Sequence, residues 1–143
     1  MYTATAPPVE ENRLIPKQSW KTGILDCFDY PMSTLDVLCC YPCQLSRQYN
    51  FLKHGNRDLS IECCVVLMCC GVYCPQLPIG PLLLMKMRDN IHSRYGIETN
   101  NYEHDIFVTM ICSECVACQH YRELTLRGDS PGGFFVGLSS TMM

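Results

Sequence analysis

The chain has 143 residues, enough for one domain with a modest core, and its net charge of −3 lacks the basic excess of a general nucleic-acid binder. Its twelve cysteines, about 8 % of the residues, reach the composition that marks a cysteine scaffold, either oxidised and secreted or reduced and metal-bound. The chain opens without the basic and apolar regions of a cleaved signal peptide, residue 2 is Tyr rather than a myristoylated Gly, and no Asn-x-Ser/Thr sequon occurs, so the thiols are expected to be reduced.

Residues 1–18 carry Pro7-Pro8 and Glu10-Glu11 with little apolar content, and read as a flexible tail ahead of a domain over 19–126. Trp20 to Tyr30 begins the folded part and Pro31 closes it. Trp20, Ile24 and Phe28 recur at helical spacing, although Gly23 weakens a helix there. In Cys40-Tyr41-Pro42-Cys43 the proline suits a first helical position, which predicts a helix from Pro42 to about Lys53 with Leu45, Tyr49 and Leu52 on one face and Gly55 as its stop. Cys43 then lies in the first turn, where the helix dipole favours the thiolate that binds metal.

Ile61 to Met85 is the most apolar stretch, interrupted by Glu62 and Gln76. Its middle, Cys74-Pro75-Gln-Leu-Pro78-Ile-Gly80-Pro81, breaks any single span, and the first arm, Ile61 to Tyr73, would rise only ~20 Å against a hydrocarbon core of ~30 Å. Lys53 and Arg57 before it and Lys86 and Arg88 after it place both ends on the cytoplasmic side. The expected structure is a Pro-broken apolar hairpin dipping into one leaflet, with Ile61, Val65, Val66, Leu67, Leu77, Leu82, Leu83 and Leu84 as its membrane-facing residues. A hairpin buried in a folded core fits nearly as well. Cys63, Cys64, Cys69 and Cys70 within it are candidates for S-acylation, with apolar packing as the plain alternative.

Pro81 and Gly96 bracket a helix from about Leu82 to Tyr95, its apolar face continued by Met87, Ile91 and Tyr95. A turn over Glu98–Glu103 leads to one final helix, His104–Leu126, on which Val108, Ile111, Cys112, Cys115 and Cys118 cover an arc of ~120°. Arg127-Gly-Asp-Ser-Pro-Gly-Gly ends it, and 127–143 read as a second flexible tail. The Arg-Gly-Asp tripeptide is a turn in this setting.

Four motifs in order carry a family resemblance: Trp20-Lys-Thr-Gly-Ile-Leu-Asp-Cys27-Phe, Cys40-Tyr-Pro-Cys43, Arg88-x-x-Ile91-x-x-Arg94-Tyr95-Gly96-Ile97, and Cys112-x-x-Cys115-x-x-Cys118-Gln119-x-x-Arg122-Glu123-Leu124. With them the chain resembles the placenta-specific-eight family, which includes cornifelin, the plant cadmium-resistance proteins and the plant cell-number regulators. The resemblance spans about residues 19 to 125. It implies a small cysteine-rich protein, usually at membranes, with no enzymatic reaction established for the class, whose plant relatives are connected with cadmium and zinc export or tolerance and with organ size, and one of whose relatives is tied to calcium entry. Met32 to Leu38 lacks the additional cysteine that many plant members have, so a transport role does not follow automatically, while membrane association does.

The cysteine spacing supports a zinc reading: Cys40 and Cys43 with two of Cys112, Cys115 and Cys118, with Cys27 or Cys39 as alternates, would give four thiolates around a tetrahedral ion. Buried free cysteines acting as small hydrophobes are the bland alternative. Thioredoxin-like chemistry needs a Cys-x-x-Cys beside a βαβ pattern, which is missing, and His54, His92, His104 and His120 mark no nucleophile and base. Arg88, Arg94 and Arg122 read by default as a plain solvated helix face, with pairing to Asp89, Asp105, Glu114 or Glu123, or contact with lipid phosphate, as the alternatives.

The sequence thus predicts a mainly α-helical domain of three or four short helices around a sulfur-lined centre. Its leading function is non-enzymatic: a membrane-associated protein, its bulk facing the cytoplasm, that binds a soft divalent ion such as zinc and aids metal homeostasis or transport. Membrane lipid and either a second copy or a protein partner are the expected partners, and nucleic acid is not. The competing function is a structural or adaptor protein whose cysteines only stabilise the fold and whose helix faces bind a protein partner.

Overall fold

Pro31 opens a helix instead of closing the segment before it. In the computed structural model, which describes residues 18–98, 101–133 and 135, the chain forms six helices: α1 (Pro31–Cys39), α2 (Tyr41–His54), α3 (Ile61–Tyr73), α4 (Ile79–Tyr95), α5 (Tyr102–Ile111) and α6 (Ser113–Leu126). The domain is mainly α-helical, as its periodicity predicts, with no sheet among the described residues and a lone bridge between Gln18 and Ile97. The expected N-terminal tail lies outside the described residues except for Gln18, and so do Thr99 and Asn100 of the expected turn and, in the C-terminal tail, residues 134 and 136–143.

Punctuation explains most helix ends. Proline at the first position costs α1 nothing, because that N–H would have no intrahelical partner. Gly55 and Gly96, at φ 69° and 63°, terminate α2 and α4 in the left-handed conformation that glycine adopts without steric penalty. The Ser60 hydroxyl accepts from the Cys63 N–H at 3.5 Å and the Asn101 side chain from the His104 N–H at 3.4 Å, which caps α3 and α5. Helix α4 starts three residues before the expected Leu82, with Pro81 held in its first turn.

Two segments differ from the expected pattern. The segment from Trp20 to Tyr30 is a turn and a short 3-10 helix (Asp26–Asp29), because the Gly23 N–H is captured by the Asp26 carboxylate at 2.6 Å. Phe28 is consequently 90 % exposed, and the Trp20–Ile24–Phe28 stripe does not form. The expected single helix His104–Leu126 is two helices broken at Cys112, whose backbone (φ −133°, ψ 73°) is not helical.

The centre of the domain is aliphatic rather than sulfur-lined. Val37, Leu45, Leu67, Leu84, Met87, Val116 and Ala117 pack together with Cys118, and a second cluster joins Phe51, Ile91, Ile97 and Leu124 under Trp20. Complete burial of a leucine such as Leu45, Leu84 or Leu124 stabilises the fold by ~1.5–3 kcal/mol relative to exposure. Helix α2 lies against α3 and α4, and α6 against α1, α4 and α5.

The apolar segment 61–85 takes part in this core, which corrects the membrane-hairpin expectation. Leu67 and Leu84 are core residues and Leu83 packs against them, whereas Ile61, Val65, Val66, Leu77 and Leu82 are exposed. An inserted hairpin would have to pull Leu67 and Leu84 away from α2 and α6. Among the described residues no helix is long and apolar enough to cross a membrane.

Both ends of the described chain are tied down. Gln18 exchanges backbone hydrogen bonds with Gly96 and Glu98 at 3.1 and 3.0 Å. Beyond α6, the Asp129 carboxylate accepts from the Tyr95 hydroxyl and pairs with Arg94 at 3.2 Å, Pro131 is fully buried, and the Phe135 N–H donates to Asp36 at 2.9 Å.

Candidate functional site

Cys40 and Cys112 occupy equivalent places. Each is the residue between two helices, each has nearly the same backbone (φ −144°, ψ 73° and φ −133°, ψ 73°), and each N–H bonds back to the preceding helix. Cys43 and Cys115 then sit in the first turns of α2 and α6. The non-helical first cysteine turns its side chain toward the second, and both pairs, Cys40–Cys43 and Cys112–Cys115, are disulfides. Tyr41 links the two junctions: burial pushes its hydroxyl up to about 12, with Ser113 and Glu114 at the start of α6 beside it.

This geometry overturns the zinc site. Four of the five expected ligands are consumed in two local bonds, and the fifth, Cys118, is a buried free thiol facing Cys27. Burial, reinforced by Cys27, pushes the Cys118 thiol up to about 11. Of the alternates, Cys27 is half-buried, its thiol on the Ile24 carbonyl at 3.4 Å, and Cys39 is exposed. Among the described residues no group of three or more His, Cys, Asp or Glu side chains is placed to hold a metal ion. The expectation that the thiols are all reduced falls with it.

The charged residues singled out by spacing hold the fold together. Arg88 bonds Asp105 at 2.7 Å and Gln119 at 2.9 Å, and its guanidinium lies 4.2 Å from the centre of the Trp20 ring. Gln119 in turn donates to the Thr22 carbonyl at 2.8 Å, and Arg122 to the Gly23 carbonyl at 2.7 Å. Glu123, fully buried, accepts from the Lys21 N–H at 3.0 Å and from Arg127 at 2.7 Å. The α6 motif therefore anchors residues 18–23 onto the helical core, with Arg94 paired to Asp129 as the remaining tie.

The surface departs most from an ordinary domain at α3. Cys64 and Leu67 face the core, yet the solvent side carries Ile61, Val65, Met68 and Val72, which are 70, 51, 54 and 74 % exposed. Their spacing of four, three and four places them in one stripe along the helix. Val66 and Tyr73 widen it, and Glu62 is its one charged residue. A helix apolar on every side is normally covered on every side. A second apolar surface is a groove of about 490 Å³ between residues 23–26 and α5, lined by Ile24, Leu25, Phe107, Val108 and Ile111. Of the expected S-acylation sites, Cys64 is buried against Cys43, Cys63 and Cys70 are half-buried, and Cys69 is exposed.

Sequence reasoning missed two features of this region. Cys64 meets Cys43 only through the packing of α3 on α2, and no local pattern announces that contact. The break at Cys112 had a signal in the recurrence at 112–115 of the Cys-x-x-Cys that opens a helix at 40–43.

A protein-family model described as the PLAC8 family matches residues 20–123. The chain is 27 % identical over 124 residues to Protein PLANT CADMIUM RESISTANCE 6 of Arabidopsis thaliana, covering 83 % of this chain and 51 % of that protein. It is 28 % identical over 112 residues to Cell number regulator 1 of Zea mays (78 % and 56 %) and 28 % identical over 126 residues to Placenta-specific gene 8 protein of Bos taurus (86 % and 85 %). The chain thus spans about half the length of the two plant relatives. No solved structure matches it.

Proposed function

The chain belongs to the PLAC8 family, and on that premise we propose that it is a non-enzymatic structural or adaptor protein whose cysteines stabilise the fold and whose exposed helix face binds a protein partner. The observation that carries this reading is the bare stripe Ile61, Val65, Met68 and Val72 on α3. Its spacing suits an apolar helix of another protein laid along it, with side chains interlocking every three or four residues. Leu67 in the core and Cys64 against Cys43 on α2 hold α3 in place beneath the stripe. Of the three relatives' names, none denotes a reaction, which agrees with a binding role.

A photo-crosslinking amino acid placed at Met68 of the full chain, in cells that naturally express it, tests the proposal. One discrete adduct with a second protein is expected, and it should disappear when Val65→Lys is added on the same stripe. The same probe at Asp89, on the exposed side of α4, should give none. Adducts with lipid alone, with a second copy of the chain alone, or equally from both positions would refute it.

A further inference from the structure

Cys64 lies on the buried side of α3 with its sulfur 3.5 Å from that of Cys43, which is already bonded to Cys40. A free thiol in contact with a disulfide sulfur is the arrangement from which thiol–disulfide exchange starts. The disulfide is also open to solvent through a groove of about 240 Å³ lined by Asp36, Cys40, Cys43, Gln44, Arg47 and Leu59.

We propose that Cys40, Cys43 and Cys64 form a thiol–disulfide exchange site that delivers a reactive thiol at Cys40. In the exchange, Cys64 gives up its proton and its thiolate attacks the Cys43 sulfur. The Cys43–Cys64 bond forms as the Cys40–Cys43 bond breaks. The electron pair of the broken bond leaves on Cys40, which takes up a proton. One disulfide and one thiol are present before and after, so the step is an isomerisation and needs no oxidant.

The position of Cys40 makes it the natural leaving group. It precedes the first turn of α2, where free backbone N–H groups and the helix dipole stabilise a thiolate. Arg47 lines the same groove and adds a positive charge. The exchange replaces a link within one turn by a link between α2 and α3, and leaves a thiol in the groove open to modification. Among the described residues it belongs to this pair: beside Cys112–Cys115 the next sulfur on α6, Cys118, is turned to Cys27. The inference rests on the contact of Cys64 with Cys43 on α2 and does not depend on a partner at the exposed stripe.

Disulfide mapping of the full chain tests it. The oxidised protein is incubated with N-ethylmaleimide for increasing times, quenched in acid, digested and analysed by mass spectrometry. A Cys43–Cys64 linked peptide should grow in step with alkylation of Cys40, and Cys64→Ser should abolish both while Cys112–Cys115 stays intact. A Cys40→Ser variant, given oxidised glutathione, should form Cys43–Cys64, with helicity by circular dichroism confirming that it is folded. Cys64 alkylated throughout with Cys40–Cys43 unchanged, or a folded Cys40→Ser protein that carries glutathione on Cys43 without linking to Cys64, would overturn the proposal.

Discussion

The imidazole of His120 stacks on the indole of Trp20, with 6.0 Å between ring centres and 13° between ring planes. His120 is completely buried, and its burial, together with the positive charge of Arg88 and the neighbouring His92, holds its pKa well below the usual histidine value. The folded protein therefore keeps His120 neutral at pH values where the unfolded chain, titrating near ~6.5, takes a proton. The unfolded state binds more protons in that window, so stability is full above ~6.5 and falls as the pH drops toward the folded-state pKa, by up to ~1.4 kcal/mol per pH unit. Urea midpoints measured across this range should fall with pH for the natural chain and fall less steeply for His120→Gln. Equal slopes would mean that other groups govern the acid sensitivity.

Glu123 predicts a loss with a local signature. Its carboxylate serves the Lys21 N–H and the Arg127 side chain while fully buried, and Arg127 is itself nearly covered. Glu123→Gln leaves one of these donors facing an amide N–H₂, and removing one partner of a buried pair costs ~3 kcal/mol. Amide exchange at Lys21 should accelerate more than exchange in α2. A loss of only ~0.5 kcal/mol, the worth of an exposed pair, would show that solvent reaches the carboxylate.

Gly133 lies so close to Asp36 that a Cβ on it would overlap the carboxylate. Asp36 is buried and accepts from the Phe135 N–H at 2.9 Å, so it has little room to retreat. Gly133→Ala should destabilise the fold by ~1–3 kcal/mol, the usual cost of overpacking. The same change in an Asp36→Ala background should cost much less, because the obstructing atoms are gone. Additive losses in the double-mutant cycle would exclude the overlap as the cause.

Helix ends set by proline and glycine were legible in the sequence: α3 covers the first arm of the apolar run and ends ahead of Pro75, and Gly55 and Gly96 stop α2 and α4. Pro31 misleads because proline is equally suited to follow one segment and to start a helix. The break at Cys112 misleads because no glycine or proline marks it. The cysteine pattern located the chemically distinctive positions but not their bonding, since residues three apart on a continuous helix point outward together, whereas a non-helical first cysteine turns inward to the second. Tertiary relations such as Cys64 with Cys43, or Asp36 with Gly133, join residues whose separation in sequence carries no period.

The aliphatic core predicts how the domain responds when its sulfur bonds are removed. Each disulfide closes a loop of only four residues, for which the chain-entropy relation gives ~2 kcal/mol. Neither spans two distant helices, and the contacts of Leu45, Leu84, Met87 and Val116 persist without them. Reduction with dithiothreitol, or the Cys112→Ser and Cys115→Ser pair, should therefore lower the melting temperature while preserving the helical circular dichroism spectrum at room temperature. A metal chelator added to the untreated protein should leave the melting curve unchanged. A domain whose helices depended on tetrahedral thiolate coordination would behave in the opposite way, because metal binding would then supply the folding free energy itself. Collapse of helicity on chelation, with little response to reduction, would thus reverse the roles assigned to the two Cys-x-x-Cys junctions.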